Sequence, residues 1–451
     1  MTEPVLPPSP FGIPNIRLFI GFRVCFNARF YYPIFTILFL DFGLTLDQFA
    51  VLNAIWAATI VLFEVPSGAL ADVIGRRNLL VTAGALMVGE ILIICLAPVG
   101  SSPTLFWLFA LNRVLSGLAE AAASGADEAL AYDSLCQHGI EGQWSRVLER
   151  QMRLQSAANL MAMSVGAVLY DPAAVNWLLS AVGATAAVGQ EATLKFPLYL
   201  TLAMAVITLA AAVGMTETQH LDRHTDASRV RVAADAFKIT LDAGAWILRT
   251  PMASVIIASG LLFDHVGRLL ITLNSQYYRV IQLPEATFGM ISSGLSVFGI
   301  FLPKIARWLT RHLAPGANFL LLGVLLFTGI IIMVFFLPLI GILAPVCIFS
   351  VLMLTNFFTS HYLNPLTTST QRATVLSFKG LSFNLAYGLI GLLYASLLAH
   401  LRDGLTPSGF PAGNGVEEAV FRQSIQWFPG YFLIGFCLLA LWIRWRLKDR
   451  R

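Results

Sequence analysis

Ionisable side chains recur inside long apolar stretches of this 451-residue sequence. A charge in hydrocarbon is costly, so such a group suggests one of three kinds of chemistry: binding of a charged solute, transfer of a proton, or an ion pair between helices. The candidates are Arg23, Arg29, Glu90, Arg113, Glu120, Asp264, His265, Arg268 and Lys379. Glu90, Glu120 and Asp264 are the carboxylates that could carry a proton, because desolvation favours the neutral form of an acid.

Several of these charges also fit a purely structural role. Asp264 and Arg268 are four residues apart, so they share one helix face and could neutralise each other. Arg113 and Glu120 are two turns apart on one face and could pair in the same way. Arg23 is near the end of its helix and could extend to the lipid headgroups. Both the functional and the structural interpretation stay open for these residues.

The elements that must position these charges are transmembrane helices. Hydrophobic residues make up 57% of the chain and charged residues only 12%. A soluble domain leaves about a quarter of its unfolded surface in water, which this composition cannot tolerate, whereas about 20 apolar residues cross a bilayer. We predict twelve spans, at 16–41, 46–68, 78–98, 104–130, 150–170, 195–215, 251–280, 286–309, 317–338, 340–362, 373–399 and 425–446.

The one long polar stretch inside the chain separates six spans from six. We therefore predict an all-α membrane protein with two pseudo-symmetric six-helix bundles, 1–215 and 251–451, joined by a cytoplasmic connector at 216–250. The predicted loops on one side contain most of the Lys and Arg, and those on the other side contain only Lys195, Arg279, Arg402 and Arg422. By the positive-inside rule, both termini are cytoplasmic in the inner or plasma membrane.

The loop after the second span reads GALADVIGRR, from Gly68 to Arg77. It resembles the signature loop of the major facilitator superfamily, with Gly68, Asp72, Gly75, Arg76 and Arg77 at the matching positions and Val73 where a basic residue is usual. Glycines allow a tight turn and close helix approach, and the arginines hold the loop on the cytoplasmic side. The resemblance implies a gating loop that latches the two halves.

The same resemblance assigns further roles. Arg113 and Gly117 have the spacing of a buried arginine that is linked to coupling in proton-coupled members, which implies a coupling role for Arg113. The Gly-Pro signature that many drug exporters have in span five is absent from SAANLMAMSVGAVLYDP. Spans one, four, seven and ten line the central cavity in this family.

The candidate solute site combines cations with aromatic side chains. Arg29, Arg268 and Lys379 would bind an anionic or zwitterionic organic solute, and the deeper rings of Tyr31 and Trp56 could stack on it. The cations in the expected cavity outnumber the acids, which favours a negatively charged group on the solute.

We therefore expect a secondary transporter that moves a small organic molecule by alternating access around a midplane site. Proton coupling is expected, with export by antiport favoured over uptake by symport; a receptor without transport activity is a remote alternative. No HExxH, GxSxG or nucleotide-binding loop occurs, so neither an enzyme nor direct ATP drive is indicated. Five scattered cysteines without a CxxC pair indicate no metal site, and we expect no cofactor. The expected partners are the solute, protons and the bilayer, without nucleic acid, and the two-half design needs no second copy.

Overall fold

The computed structural model describes residues 9–100, 102–184, 187–217, 238, 241–242, 244–367, 369–405 and 414–448. Most of the predicted connector, at 218–237, 239–240 and 243, lies outside the described residues. The described residues form helices and no strand. The helices are α1 Pro14–Asn27, α2 Phe35–Phe42, α3 Leu46–Ile74, α4 Arg76–Leu96, α5 Pro103–Ala123, α6 Ala126–Gln137, α7 Trp144–Tyr170, α8 Pro172–Ala181, α9 Gln190–Thr193, α10 Phe196–Gly214, α11 Pro251–Thr272, α12 Asn274–Val280, α13 Ala286–Gly299, α14 Leu302–His312, α15 Pro315–Val334, α16 Leu343–Leu363, α17 Ser369–Leu405 and α18 Asn414–Lys448.

The prediction of an all-α membrane protein is confirmed, and the predicted count of twelve segments is consistent with the structure. Within the described residues, nine helices are long and apolar enough to cross a bilayer, and two bent pairs, α7 with α8 and α13 with α14, bring the number to eleven. The short helices α1 and α2 occupy the remaining predicted span. The chain is thus an all-α, multi-pass membrane protein.

The prediction of one continuous helix over 16–41 is wrong. α1 ends at Asn27, and α2 begins at Phe35 after a short 3-10 turn at Tyr32–Ile34. Pro33 accounts for the break, because its ring removes a backbone N–H and clashes with the carbonyl four residues earlier, which belongs to Arg29. Instead of continuing an α-helix, the Arg29 carbonyl accepts a hydrogen bond from the Tyr32 N–H at 3.3 Å.

Contacts divide the chain into two compact units. The first unit comprises Met1–Pro33, Thr59–Pro98 and Trp107–Phe237, and the second comprises Ile34–Ala58, Val99–Phe106 and Lys238–Arg451. In the first unit, α1 packs on α7 and α10, and α4 packs on α10. In the second unit, α11 packs on α16 and α17, and α15 packs on α16. The break in the first predicted span thus falls where one unit gives way to the other along the chain.

Candidate functional site

The break after α1 holds Arg29 in the interior of the first unit. The Arg29 side chain is only 1% exposed. Its guanidinium lies 5.6 Å from the centre of the Phe26 ring and 6.0 Å from that of Tyr32, and Nη1 donates to the Tyr31 hydroxyl at 3.2 Å. A cation buried this deeply needs a counter-ion.

Two carboxylates share that cation. Nη1 of Arg29 forms an ion pair with Oε1 of Glu90, whose side chain is 0% exposed. Nη2 lies 3.8 Å from Oε1 of Glu120, whose side chain is 35% exposed. Arg29 therefore stands between one acid that is sealed from water and one acid that water can reach.

Asn112 links Arg113 to the same cluster. Its Nδ2 donates to the Glu90 carbonyl at 2.7 Å, and its Oδ1 accepts a hydrogen bond from Nε of Arg113 at 2.9 Å. Arg113 and Asn112 are both buried. Asn112 was not predicted from the sequence because it has no charge, although it directly precedes Arg113, a candidate buried arginine.

A polar cavity of about 310 Å³ borders Glu120. It is also lined by Arg23, Asp127 and Glu128, among other residues. Nε of Arg23 lies 2.6 Å from Oδ2 of Asp127, and Nη2 pairs with Glu128. Arg23 thus binds acids of α6 within the protein, and water in this cavity would have access to Glu120.

Neighbouring helices hold the backbone of the break in place. The Phe30 N–H donates to Oγ1 of Thr201 at 3.1 Å. A Cβ atom built on Gly166 of α7 would lie 1.8 Å from the Phe30 carbonyl oxygen. Only glycine allows the two backbones to approach this closely, so Gly166 fixes where Arg29 projects.

A second charged cluster lies in the second unit. Oδ2 of Asp264 lies 2.6 Å from Nη2 of Arg268, so the pair suggested by the spacing forms. Nη1 of Arg268 also donates to Oδ1 of Asn384 at 2.7 Å, and its guanidinium lies 5.3 Å from the centre of the Tyr387 ring. His265 contacts the Leu261 carbonyl through Nδ1 and the Tyr431 hydroxyl through Nε2.

Lys379 belongs to the same region. Its Nζ donates to Oδ1 of Asn356 at 3.2 Å and lies 5.3 Å from the centre of the Phe383 ring. Asn356 borders a cavity of about 480 Å³ together with residues of α14 and α16.

Trp56, on α3 in the second unit, is half-buried. Of the predicted solute-site residues, Arg268, Lys379 and Trp56 are in the second unit, and Arg29 and Tyr31 are in the first.

The predicted loop Gly68–Arg77 is mostly helical: α3 continues to Ile74, α4 begins at Arg76, and Gly75 alone separates them. Gly75 has a φ of 92°, and a Cβ there would lie 2.5 Å from Oε2 of Glu217. That oxygen accepts from the Arg77 N–H at the start of α4, where an anion is favoured.

The two arginines of the loop bind other elements. The Arg77 side chain donates to the carbonyls of Met215 at 2.7 Å and Val213 at 2.8 Å, at the end of α10. Arg76 pairs with Asp133 of α6. Gly68 and Asp72 lie in α3, and the surroundings of Gly68 and the side chain of Asp72 are outside what the structure describes.

Two arginine-centred ion clusters in the second unit were not predicted from the sequence. Nη1 and Nη2 of Arg279 bind the two oxygens of Asp41 at 2.7 and 2.6 Å, and Nη2 also binds Glu285. Arg402 pairs with Asp47 and, at 2.9 Å, with Glu417. Arg279 and Arg402 had been predicted only as loop charges, and their acidic partners had not been predicted at all.

The fold is that of a polytopic membrane protein. The model of the Major Facilitator Superfamily matches residues 18–390. The chain belongs to this superfamily, as its loop motif suggested.

Solved structures of transporters share the fold. The nucleoside transporter NupG is 13% identical with a TM-score of 0.69, and the match covers 96% of this chain and 98% of that one. A bacterial homologue of the human lysosomal transporter Spinster, in an inward-facing and unoccupied conformation, is 15% identical with a TM-score of 0.69 and 98% coverage of both chains. No curated protein matches the sequence. At identities this low, the structural similarity establishes the fold alone. The family points to a transporter rather than an enzyme.

Proposed function

We propose that the protein is a proton-coupled secondary transporter that moves a small organic solute by alternating access. The observation that supports this most strongly is the sharing of Arg29 between Glu90 and Glu120. Export of the solute in exchange for protons is favoured, with uptake by symport as the alternative direction.

The shared cation gives a physical route to coupling. When Glu120 is ionised, it attracts Arg29 and weakens the hold of Glu90 on the same guanidinium. When Glu120 is protonated, that attraction is lost and Arg29 returns fully to Glu90. Because the Arg29–Glu90 pair is buried, a shift of Arg29 between the two acids changes its electrostatic energy, and such a difference can bias a conformational equilibrium. Glu120 is the acid that exchanges the proton, and Glu90 is the fixed counter-ion.

Arg113 acts as a positioning residue in this scheme. Arg113 is hydrogen-bonded to Asn112, and Asn112 is hydrogen-bonded to the backbone of Glu90. A change in the Arg29–Glu90 distance would therefore shift Asn112 and, through it, Arg113. Asp264 is a second candidate for coupling, since its carboxylate is buried beside Arg268.

The ion clusters of Arg279 and Arg402, which the charge pattern of the loops assigns to the outer side of the membrane, suit a transporter whose solute pathway must open and close there. Asp41, Arg279, Asp47 and Arg402 are all partly exposed. Partly exposed ion pairs contribute little net free energy and can be replaced by water, unlike buried apolar contacts. The clusters therefore serve as a reversible outer gate, while Gly75, Arg76 and Arg77 act on the cytoplasmic side.

The second cluster supports a solute with an anionic or zwitterionic group. Arg268, Lys379 and Asp264 together contribute one net positive charge, and Asn384 and Tyr387 add hydrogen-bonding and stacking surface. A carboxylate or phosphate could compete with Asp264 for Arg268. Replacing Arg268 by alanine is expected to abolish transport of anionic solutes while Arg268→Lys retains part of it. Unchanged transport by Arg268→Ala would refute this assignment.

The charge pattern of the loops supports a location in the inner or plasma membrane with both termini cytoplasmic. The two-half architecture supports a monomer as the working unit.

Everted membrane vesicles with an acidic interior test the proposal. Solutes grouped by charge are added while a pH-sensitive dye reports the interior, and vesicles containing the Glu120→Gln variant serve as the matched control. Proton release on addition of one solute class, absent in the control, is expected for an antiporter. No change in the dye signal of everted vesicles, together with proton-coupled uptake of the solute by right-side-out vesicles, would instead support symport. Solute movement without proton movement in either orientation would contradict coupling.

A further inference from the structure

Helix α14 is a short helix that leaves the line of α13 at 42°. The 14 residues of α13 span about 21 Å at 1.5 Å per residue, which covers most but not all of a hydrocarbon layer of about 30 Å. The 11 residues of α14 therefore continue through the last part of the layer and into the headgroup region. A helix at this depth meets both acyl chains and phosphates.

One face of α14 is used by the protein itself. Leu302, Ala306 and Leu309 are buried, and α14 packs on α16 along this face. At 100° per residue these three side chains lie within about 30° of a common direction. Most of the remaining surface of α14 is exposed.

A second stripe is apolar and exposed. Phe301, just before the helix, is 53% exposed, and Ile305 and Trp308 also expose large apolar surfaces. Their spacing of four and three residues places them on one line, about 90° from the buried face. The Trp308 ring stacks on His312, with ring centres 4.6 Å apart, so the indole is held in a defined orientation. Tryptophan at the end of a membrane span is typical of the headgroup boundary.

A third stripe is cationic. Lys304, Arg307 and Arg311 are exposed and follow each other at spacings of three and four residues. They lie opposite the buried face and about 90° from the apolar stripe. The segment 300–316 contains no Asp or Glu, so these charges have no acidic neighbour along their own helix.

We infer that α14 is a binding site for anionic phospholipid. The apolar stripe contacts the acyl chains, and the cationic stripe binds the phosphate of the same lipid. The adjacency of the two stripes distinguishes this surface from a soluble-anion site, which would not need Ile305 and Trp308 exposed. It also argues against a protein partner, since the cations lie where the helix enters the headgroups of the bilayer that the chain crosses. A cation near an anionic membrane surface favours binding by roughly fivefold, and α14 presents three.

The test uses Trp308 as the reporter in purified full-length protein in nanodiscs of fixed anionic lipid content. Bromine, which quenches indole fluorescence on contact, is placed on the acyl chains of either phosphatidylglycerol or phosphatidylcholine. The Trp308 signal is the difference between the unmodified protein and the Trp308→Phe variant. We expect brominated phosphatidylglycerol to quench Trp308 as if enriched at least about fivefold over its bulk fraction, and salt to reduce that enrichment.

The combined variant Lys304→Gln, Arg307→Gln and Arg311→Gln is expected to remove the preference. A matched control that neutralises the exposed Arg146, Arg150 and Arg153 of α7 should retain it. Equal quenching by both lipids in the unmodified protein would overturn the inference, and this arm needs no charge variant to fold. A preference that survives in the triple variant, or that soluble glycerol phosphate abolishes, would overturn it as well.

Discussion

Replacing Arg29 by methionine is expected to destabilise the protein more than replacing Glu90 by glutamine. The Arg29→Met variant leaves Glu90, which is 0% exposed, without its cation. Removing one partner of a buried ion pair costs about 3–5 kcal/mol. The Glu90→Gln variant leaves Arg29 with Glu120, 3.8 Å away, and keeps a hydrogen-bond acceptor in place. Its cost should be nearer about 1–3 kcal/mol, that of one compromised buried hydrogen bond.

The double variant Arg29→Met with Glu90→Leu provides the decisive comparison. Replacing both members of a buried pair by apolar side chains of similar size is often neutral or stabilising, so its free energy of unfolding should lie within about 1 kcal/mol of the original. The measurement is a titration with sodium dodecyl sulfate in mild-detergent micelles, followed by circular dichroism.

Arg76→Met is a suitable control because its pair with Asp133 is partly exposed, and such pairs contribute about 1 kcal/mol or less. Equal costs for the Arg29 and Glu90 single variants would contradict the role assigned to Glu120. A double variant that costs the sum of the singles would contradict the buried pair itself.

Two glycine substitutions test the local geometry. Gly166→Ala places a methyl group 1.8 Å from the Phe30 carbonyl and should lower the free energy of unfolding by about 3 kcal/mol or more, whereas Gly89→Ala, whose nearest neighbour is at 3.8 Å, should change it little. Thermal unfolding in detergent measures both, and equal midpoints would refute the close approach. Gly75→Ala forces a Cβ into a φ of 92° and within 2.5 Å of Glu217, and should cost about 1–3 kcal/mol by the same assay. An unfolding midpoint unaffected by Gly75→Ala would show that the loop does not need this conformation.

The number, type and approximate position of the membrane segments could be predicted from apolar runs alone. The break in the first span could not be, because its sequence is apolar enough on average, and long enough, for one continuous helix. Pro33 was the available signal. Its effect depends on whether neighbouring helices satisfy the freed backbone groups, as Thr201 does for Phe30 here.

The candidate site was predictable residue by residue but not pair by pair. Arg29, Glu90 and Glu120 could each be selected because charge is costly in a membrane. Their side chains meet because helices that are distant in sequence pack together. Residue spacing along one helix cannot predict such a contact. The Asp264–Arg268 pair is the exception, because side chains four residues apart on one helix are neighbours whatever the tertiary fold.

Uncharged contributors and outer charges were the remaining omissions. Asn112 and Asn384 complete the two clusters, but asparagine is too common to be selected by type. Asp41 and Arg279 lie 238 positions apart in the chain and become partners only through the tertiary fold.

The central claim is that Glu120 exchanges the coupling proton, and one reconstitution experiment tests it directly. Purified protein in proteoliposomes is assayed with a transported solute, once by exchange of labelled for unlabelled solute without a pH gradient and once with an imposed gradient. We expect the Glu120→Gln variant to keep the exchange and to lose the acceleration by the pH gradient. A Glu120→Gln variant that responds to the gradient as the unmodified protein does would contradict it.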